Sequence, residues 1–366
     1  MQALKGSLNQ KAHFEGVGGP RMRGCGLETL LPMEKFAVMG LSDVLKSLPS
    51  LIRNFYKVKK AILKNNPSHV ILIDSPAFNL RLAKSLRKSG FKGKIVQYIC
   101  PTVWAWGKGR IQELEKNYDL LLVIYPFESQ FFEKTQLATE YIGHPLIETL
   151  QEYKYSDSWK TTLGIPEDAI LGAIFPGSRE GEVRRNLQLL LTTVGAIIKE
   201  KPDQVFALSC GHDKTISWLE DWLRENEQSP LKLNQNIFLV PRHYNYDLMK
   251  HAHFAVAKSG TVTLELALHK CPTVVLYELT ALNRFYAKRI LKLKLSYYCI
   301  VNILSKKEIF PEFIEKKPSV NALLSSISAI NEAEKRQQII SICETLKDQL
   351  YVKDSSTKAA EAILRC

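Results

Sequence analysis

Two spacings of apolar residues alternate along the chain. Short apolar runs of strand length occur at His69–Asp74, Lys94–Ile99, Leu120–Ile124 and Thr139–Ile142. They recur at Ile170–Phe175, Val205–Ser209, Ile237–Val240, Phe254–Ala257 and Thr273–Tyr277. Between these runs, apolar residues return every third or fourth position. That spacing predicts helices over Asn79–Ser89, Lys108–Lys116, Phe127–Lys134, Val183–Lys199, Lys214–Asn226, Tyr246–His251, Thr263–His269 and Asn283–Leu291. Helical patterns close the chain from Ser319 to Leu364. Nearer the start, Ala12–Val17 reads as a strand ending in Gly18-Gly19-Pro20. A long amphipathic helix then carries Leu41, Val44, Leu48, Leu51, Phe55, Val58 and Ile62, with a restart expected at Pro49.

Strands alternating with helices imply parallel sheets wound with helices on both faces. The alternation is interrupted at the polar stretch Glu148–Pro166, which reads as a connection between domains. The expected fold class is therefore α/β, with two doubly wound, Rossmann-like domains facing across a cleft. Their expected limits are residues 1–150 and 167–345, followed by a helical tail over 346–366. A chain of 366 residues is long enough to give each domain its own core.

Composition narrows the function only a little. A formal net charge of +13 favours an anionic partner, whether nucleic acid, a membrane face or a phosphate-bearing substrate. The basic residues are spread over amphipathic helices rather than clustered with exposed aromatics, which argues against nucleic acid. Seven scattered cysteines form no CxxC or Cys/His cluster, so neither a disulfide framework nor a zinc site is indicated. No apolar run is long enough to span a bilayer, which leaves peripheral contact as the expected membrane role. The chain has no GxxxxGK[ST], no GxGxxG after a strand and no Asp-x-Asp. No cofactor and no metal are expected.

In wound parallel sheets, ligands bind beyond the carboxyl ends of the strands. There, Pro176-Gly177-Ser178-Arg179 joins a strand to a helix. Gly177 permits close backbone approach, Ser178 offers a hydroxyl, and Arg179 can grip a phosphate with two parallel N–H groups. Helix starts also favour anions. Ser259-Gly260-Thr261 opens another helix with Glu265 one turn on, giving a second anion or sugar cradle; helix capping is the structural alternative. Asp74 ends a buried strand, where desolvation would raise its carboxyl toward the range of a general base. Its alternative is also a helix cap. Trp104 and Trp106 suit either an apolar acceptor groove or core packing, and His144 suits a turn or a catalytic place. Taken together, these features suggest transfer from a nucleotide-diphosphate donor.

The ordered set of motifs resembles the lipid-A-disaccharide synthase family, glycosyltransferases of two-domain GT-B architecture. The matching stretches are Gly16-Val17-Gly18-Gly19-Pro20-Arg21-Met22, Ala37-Val38-Met39-Gly40, Ile73-Asp74-Ser75-Pro76 and Val103-Trp104-Ala105-Trp106. They continue with Pro126-Phe127-Glu128, Gly143-His144-Pro145, Pro176-Gly177-Ser178-Arg179 with Glu182-Val183, and Ser259-Gly260-Thr261 with Glu265. The resemblance implies an inverting transfer from UDP-2,3-diacylglucosamine to the 6-hydroxyl of 2,3-diacylglucosamine 1-phosphate. Asp74 would be the base and Arg179 would stabilise the departing diphosphate. Gly177, Ser178, Ser259, Gly260, Thr261, Glu265 and Asn302 would hold the donor. Gly18, Gly19, Val38, Met39, Trp104 and Trp106 would face acceptor or lipid, on the cytoplasmic side of the inner membrane. Another UDP-sugar GT-B enzyme, such as one acting on a peptidoglycan precursor, is the nearest rival.

Two departures stand out. Family members usually open with a strand and a Gly-Glu-x-Ser-Gly-Asp loop, whereas Met1 falls inside the helix that should follow. The expectation is therefore a start set too late, or a defective fragment. Ala77 also stands where the family commonly has a further Asp, leaving Asp74 as the sole carboxylate of that turn.

Overall fold

The computed structural model describes residues 1–9, 11–36, 41–104, 109–212, 214–277, 295–314 and 317–366, without the side chains of 35–36 and 41–47. Val38, Met39, Trp106 and the helix expected at Asn283–Leu291 lie outside the described residues, wholly or in large part. The chain divides into two compact units, Met1–Gln151 with Leu350–Cys366, and Glu152–Gln349.

In the first unit, β1 (Glu15–Gly18) and β2 (Glu28–Pro32) pair in parallel. A second parallel sheet holds β3 (His69–Ile73), β4 (Lys94–Tyr98), β5 (Leu120–Val123) and β6 (Ala138–Tyr141), in that order. All four residues of β5 are buried, as expected of a strand covered on both faces. One face packs Val70, Leu72, Leu121 and Val123 against Leu82 and Leu86 of helix Pro76–Lys88 and Val58 of helix Leu41–Asn65. The other packs Val96, Leu120 and Leu122 against Leu4 and against Ala359, Ala360 and Ile363 of helix Ser355–Arg365. The last helix, set apart in sequence as a tail, thus completes the first unit's second face. The returning chain crosses Gly143 closely: its φ is +79°, and a Cβ there would lie 2.6 Å from the Val352 Cβ.

The second unit is one six-stranded parallel sheet, with β7 (Leu171–Phe175), β8 (Val205–Cys210), β9 (Ile237–Pro241), β10 (Phe254–Lys258), β11 (Thr273–Tyr277) and β12 (Glu312–Ile314). Its spatial order is β12-β11-β10-β7-β8-β9. Successive strands step outward one way from β7 and then the other way from β10, so the order reverses between these two neighbours. That reversal opens a crevice at their carboxyl ends. The apolar period of helix Glu180–Glu200 is spent on this sheet, where Leu187, Leu190, Leu191, Val194 and Ile198 pack with Ile174, Phe206 and Leu208.

Several elements differ from the sequence pattern. Helix Leu41–Asn65 runs through Pro49 without restarting; a single proline removes one intrahelical hydrogen bond, and the helix continues past it. The helix expected at Phe127–Lys134 is a tight 3₁₀ turn, Pro126–Phe131, because the Glu128 carboxylate folds back onto the Tyr125 amide. Strands β2 and β12 went unpredicted, being short and half exposed. Among the described residues, no helix is long and apolar enough to cross a membrane.

Candidate functional site

At the β7–β10 crevice, Phe175 is followed by Pro176-Gly177-Ser178-Arg179 and then by the helix beginning at Glu180. Gly177 has φ +124°, and a Cβ there would stand 2.8 Å from the Glu182 Cβ, so both backbone and packing require glycine. Arg179 donates from Nη1 to Glu182 Oε1 at 3.1 Å. Lys258, the last residue of β10, places Nζ 3.0 Å from the same oxygen and 5.3 Å from the centre of the Tyr277 ring. Burial works to raise the Glu182 carboxyl, but Lys258, Arg179 and the Ser178 amide outweigh it and hold the group below the usual carboxylate range. Ser178 and Arg179 are exposed on this edge.

The second cradle follows β10 directly. Ser259 is buried, while Gly260 and Thr261 are exposed at the start of helix Thr261–Leu268. Gly260 is extended at φ 167°, and a Cβ there would meet nothing within 4 Å. Neither backbone nor packing calls for glycine at that position. One turn on, burial raises the Glu265 carboxyl above its ordinary value, against the Tyr246 hydroxyl, which donates to Oε1 at 3.2 Å, and the charge of Arg242. His269 Nδ1 donates to the Glu265 carbonyl at 2.7 Å, which leaves Nε2 to accept from Tyr155 at 2.9 Å. Asn302 is placed differently from expectation. It is wholly buried, with Nδ2 on the Phe310 carbonyl and Oδ1 on the Ile309 and Phe310 amides. Its side chain braces a turn and has no face toward a ligand.

The first unit's strand ends are built on strained backbone. Asp74 and Ser75 have φ of +46° and +42°, and Ile99, just past β4, has φ +74°. A β-branched residue in the left-handed region costs about 1–3 kcal/mol. Two buried amides hold these turns. Asn79 Nδ2 donates to the Asp74 carbonyl at 2.5 Å and to Ile73 at 3.1 Å. Gln97 Nε2 donates to the Ile99 carbonyl at 3.0 Å and to Asp74 at 3.3 Å. The Asp74 side chain is exposed rather than desolvated, since β3 has ended and Ile73 is itself 46% exposed. Capping does not account for Asp74 either, because the N-cap position belongs to Ser75.

Past β5 in the same unit lies a buried carboxylate that the sequence pattern gave no role. Glu128 is 1% exposed and accepts from the Tyr125 amide at 3.0 Å, the Ile124 amide at 3.2 Å and Trp104 Nε1 at 3.3 Å. Burial pushes its carboxyl up to about 7, against those three donors. Trp104 packs edge-on to Phe127, and Tyr125 stacks on the other side of Phe127 and tilts against His144. Burial drives His144 down to about 4, and its Nδ1 accepts from the Leu146 amide, so the ring is neutral. Gly18 has a packing reason: a Cβ there would fall 2.3 Å from Leu27 Cδ2, and its carbonyl accepts from Arg23 at 3.0 Å. Gly19 is the N-cap of the short helix Pro20–Gly24.

Gln97, Glu128 and Lys258 are the residues that sequence reasoning left without a role. For Gln97 and Lys258 the available signal was a polar residue inside, or closing, an otherwise apolar strand; Glu128 lies in the 3₁₀ turn past β5 and offered no such signal. Among the described residues, no group of three or more His, Cys, Asp or Glu side chains could hold a metal.

Comparisons with known proteins bear on this geometry. The lipid-A-disaccharide synthetase family profile matches residues 1–365. A lipid-A-disaccharide synthase of Chlamydia pneumoniae is 39% identical over 350 residues, covering 94% of this chain and 56% of that protein. One of Pseudomonas aeruginosa is 32% identical over 365 residues, covering 100% of this chain and 93% of that protein. The chain thus spans about half the length of the chlamydial relatives it matches. In fold it is similar to a UDP-GlcNAc 2-epimerase from Neisseria meningitidis bound to UDP-GlcNAc, with a TM-score of 0.60 at 10% identity, covering 100% of this chain and 96% of that one. Similar folds include trehalose-6-phosphate synthase, which matches the expected GT-B class. With the profile match running almost end to end, the chain belongs to the lipid-A-disaccharide synthetase family.

Proposed function

We propose that this chain transfers 2,3-diacylglucosamine from UDP to the 6-hydroxyl of 2,3-diacylglucosamine 1-phosphate, giving a β-1,6 disaccharide 1-phosphate and UDP. The observation that carries the reading is an end-to-end family match whose motifs fall at strand ends, Asp74 after β3 and Gly177–Arg179 after β7. The name borne by the relatives supports the substrates, and the UDP-GlcNAc bound to the epimerase supports a UDP-sugar donor on this fold.

In this mechanism Asp74 takes the proton from the acceptor 6-hydroxyl. The freed oxygen attacks the donor's anomeric carbon from the face opposite UDP, and the bond from that carbon to the diphosphate oxygen breaks. One inversion yields the β linkage. Arg179, Ser178 and the amides of the helix start receive the charge that develops on UDP. Gly177 and Gly260 let the backbone approach the diphosphate, Ser259 and Thr261 contribute polar groups beside it, and Glu265 binds the nucleotide sugar. Trp104, Gly18 and Gly19, all in the first unit, belong to the acceptor side.

The acyl chains require a lipid surface. Helix Leu41–Asn65 exposes Leu48, Ile52 and Tyr56 at successive turns, with Arg53, Lys57, Lys59 and Lys60 close by in sequence. An exposed apolar stripe beside basic residues suits peripheral docking on an anionic leaflet, here the cytoplasmic face of the inner membrane. The test is Asp74→Asn, which is expected to abolish disaccharide formation while donor binding survives. Substantial turnover by that variant contradicts the assignment of the base.

A further inference from the structure

Glu182 has two cations on one carboxylate oxygen. Arg179 Nη1 lies 3.1 Å and Lys258 Nζ 3.0 Å from its Oε1. One carboxylate neutralises one cation, so the cluster keeps an excess positive charge. The burial is uneven: the Arg179 side chain is 60% exposed, but Lys258 is 19% and Glu182 11% exposed. A second anion would complete the charge of a lysine held this far out of water on a shared carboxylate. The place matters as well. Lys258 closes β10 and Gly177 follows β7, the two neighbouring strands between which the order reverses. Gly211, past β8, comes so near that a Cβ there would lie 3.0 Å from the Gly177 carbonyl. The backbones of two strand ends therefore crowd the same edge, while Gly260, two residues past Lys258, is open on its side-chain face.

We infer that Lys258 is a second cationic ligand of the donor's diphosphate, held beside Arg179 by Glu182, which positions both. The inference rests on the UDP-sugar reading above. Both cations share Glu182 Oε1. When a diphosphate enters, Lys258 and Arg179 each donate to its oxygens while keeping their hold on Glu182, so the cations that meet its charge are already in place. Lys258 acts on the phosphates and not on the nucleoside, which separates it from a residue that merely stabilises the unit.

The experiment measures UDP affinity by calorimetry and uridine binding by ligand-observed NMR on the full chain. The proteins compared are wild type, Lys258→Met, Lys258→Arg and Glu182→Gln, each checked by thermal unfolding. Lys258→Met is expected to weaken UDP about tenfold or more, the scale of a lost charge-assisted contact, with uridine changed less than about twofold. Lys258→Arg restores most of the UDP affinity. Glu182→Gln lowers UDP affinity by a smaller factor and again spares uridine. Equal losses for UDP and uridine in Lys258→Met, or unchanged UDP affinity in a folded variant, overturn the inference. Wild type that fails to bind UDP overturns the UDP-sugar reading itself, and Lys258's role with it.

Discussion

The strand ends of the two units are built from opposite materials. In the first unit the edge is carboxylate and aromatic, with Asp74 on a left-handed turn, Glu128 buried under Trp104, and a neutral His144 against Tyr125. In the second it is glycine and cation, with Gly177 at φ +124° and Arg179 and Lys258 gathered on Glu182. The underlying scaffold is the same, parallel strands running into helices. The difference lies in what the loops after the strands must do. The base proposed above, Asp74, has its backbone carbonyl held by two buried amides, Asn79 and Gln97. The diphosphate grip proposed above calls for open backbone and fixed positive charge, and glycines and paired cations stand there instead.

After the loss of Asp74, breaking the cationic edge gives the largest expected effect. Arg179→Ala is expected to lower kcat by about 100-fold or more, the scale of removing one donor from a developing oxyanion, with the KM for the acceptor little changed. Steady-state kinetics with both substrates varied checks it. A change confined to the acceptor KM moves Arg179 out of the donor site.

The next effect is on stability and belongs to the carboxylate edge. Glu128 has its carboxyl raised to about 7 in the folded unit. Its contribution is therefore complete below its unfolded value of 4.5 and lost as pH rises through about 7. His144 runs the other way: lowered to about 4, it contributes fully above 6.5, and that contribution is lost as pH falls through about 4. Glu128→Gln removes only the first of these opposing slopes. The variant should gain on wild type by roughly 3 kcal/mol between pH 4.5 and 7, measured by urea unfolding at a series of pH values. A constant difference across that range contradicts the raised carboxyl.

Two smaller changes sharpen the contrast in backbone. Gly177→Ala should destabilise the second unit by about 1–3 kcal/mol, because the new Cβ meets Glu182 at a φ that alanine rarely adopts. Ile99→Gly should relieve the left-handed strain in the first unit, leaving a net change of about 1 kcal/mol or less in either direction, since the lost side chain offsets the relief. Its clearer sign is a fall in kcat at nearly unchanged stability, as the Asp74 turn loosens. Unchanged kcat would mean that the strain has no part in placing Asp74.

The frame of both units was legible because buried parallel strands are continuous apolar runs, and the turns that end them name their own residues. Asp74, Gly177 and Arg179 stand out in the chain for that reason. What escaped depends on contacts between residues far apart in sequence. Trp104 and Glu128 meet across 24 positions, and Lys258 at the end of β10 reaches Glu182 in the helix that follows β7. Neither meeting leaves a spacing to read. The left-handed Ile99 was equally hidden, since an isoleucine in an apolar run looks like any strand residue. Asn302 went astray for the reverse reason. The family resemblance implied a ligand contact, while its amide is wholly engaged by the backbone of residues 309 and 310.

The most direct test of the central claim is to incubate the purified chain with UDP-2,3-diacylglucosamine and 2,3-diacylglucosamine 1-phosphate, then follow both products by mass spectrometry and NMR. One UDP released for each β-1,6-linked disaccharide 1-phosphate formed is the predicted result. UDP release without a disaccharide, an α-linked product, or no reaction by a folded chain that still binds UDP would contradict the account.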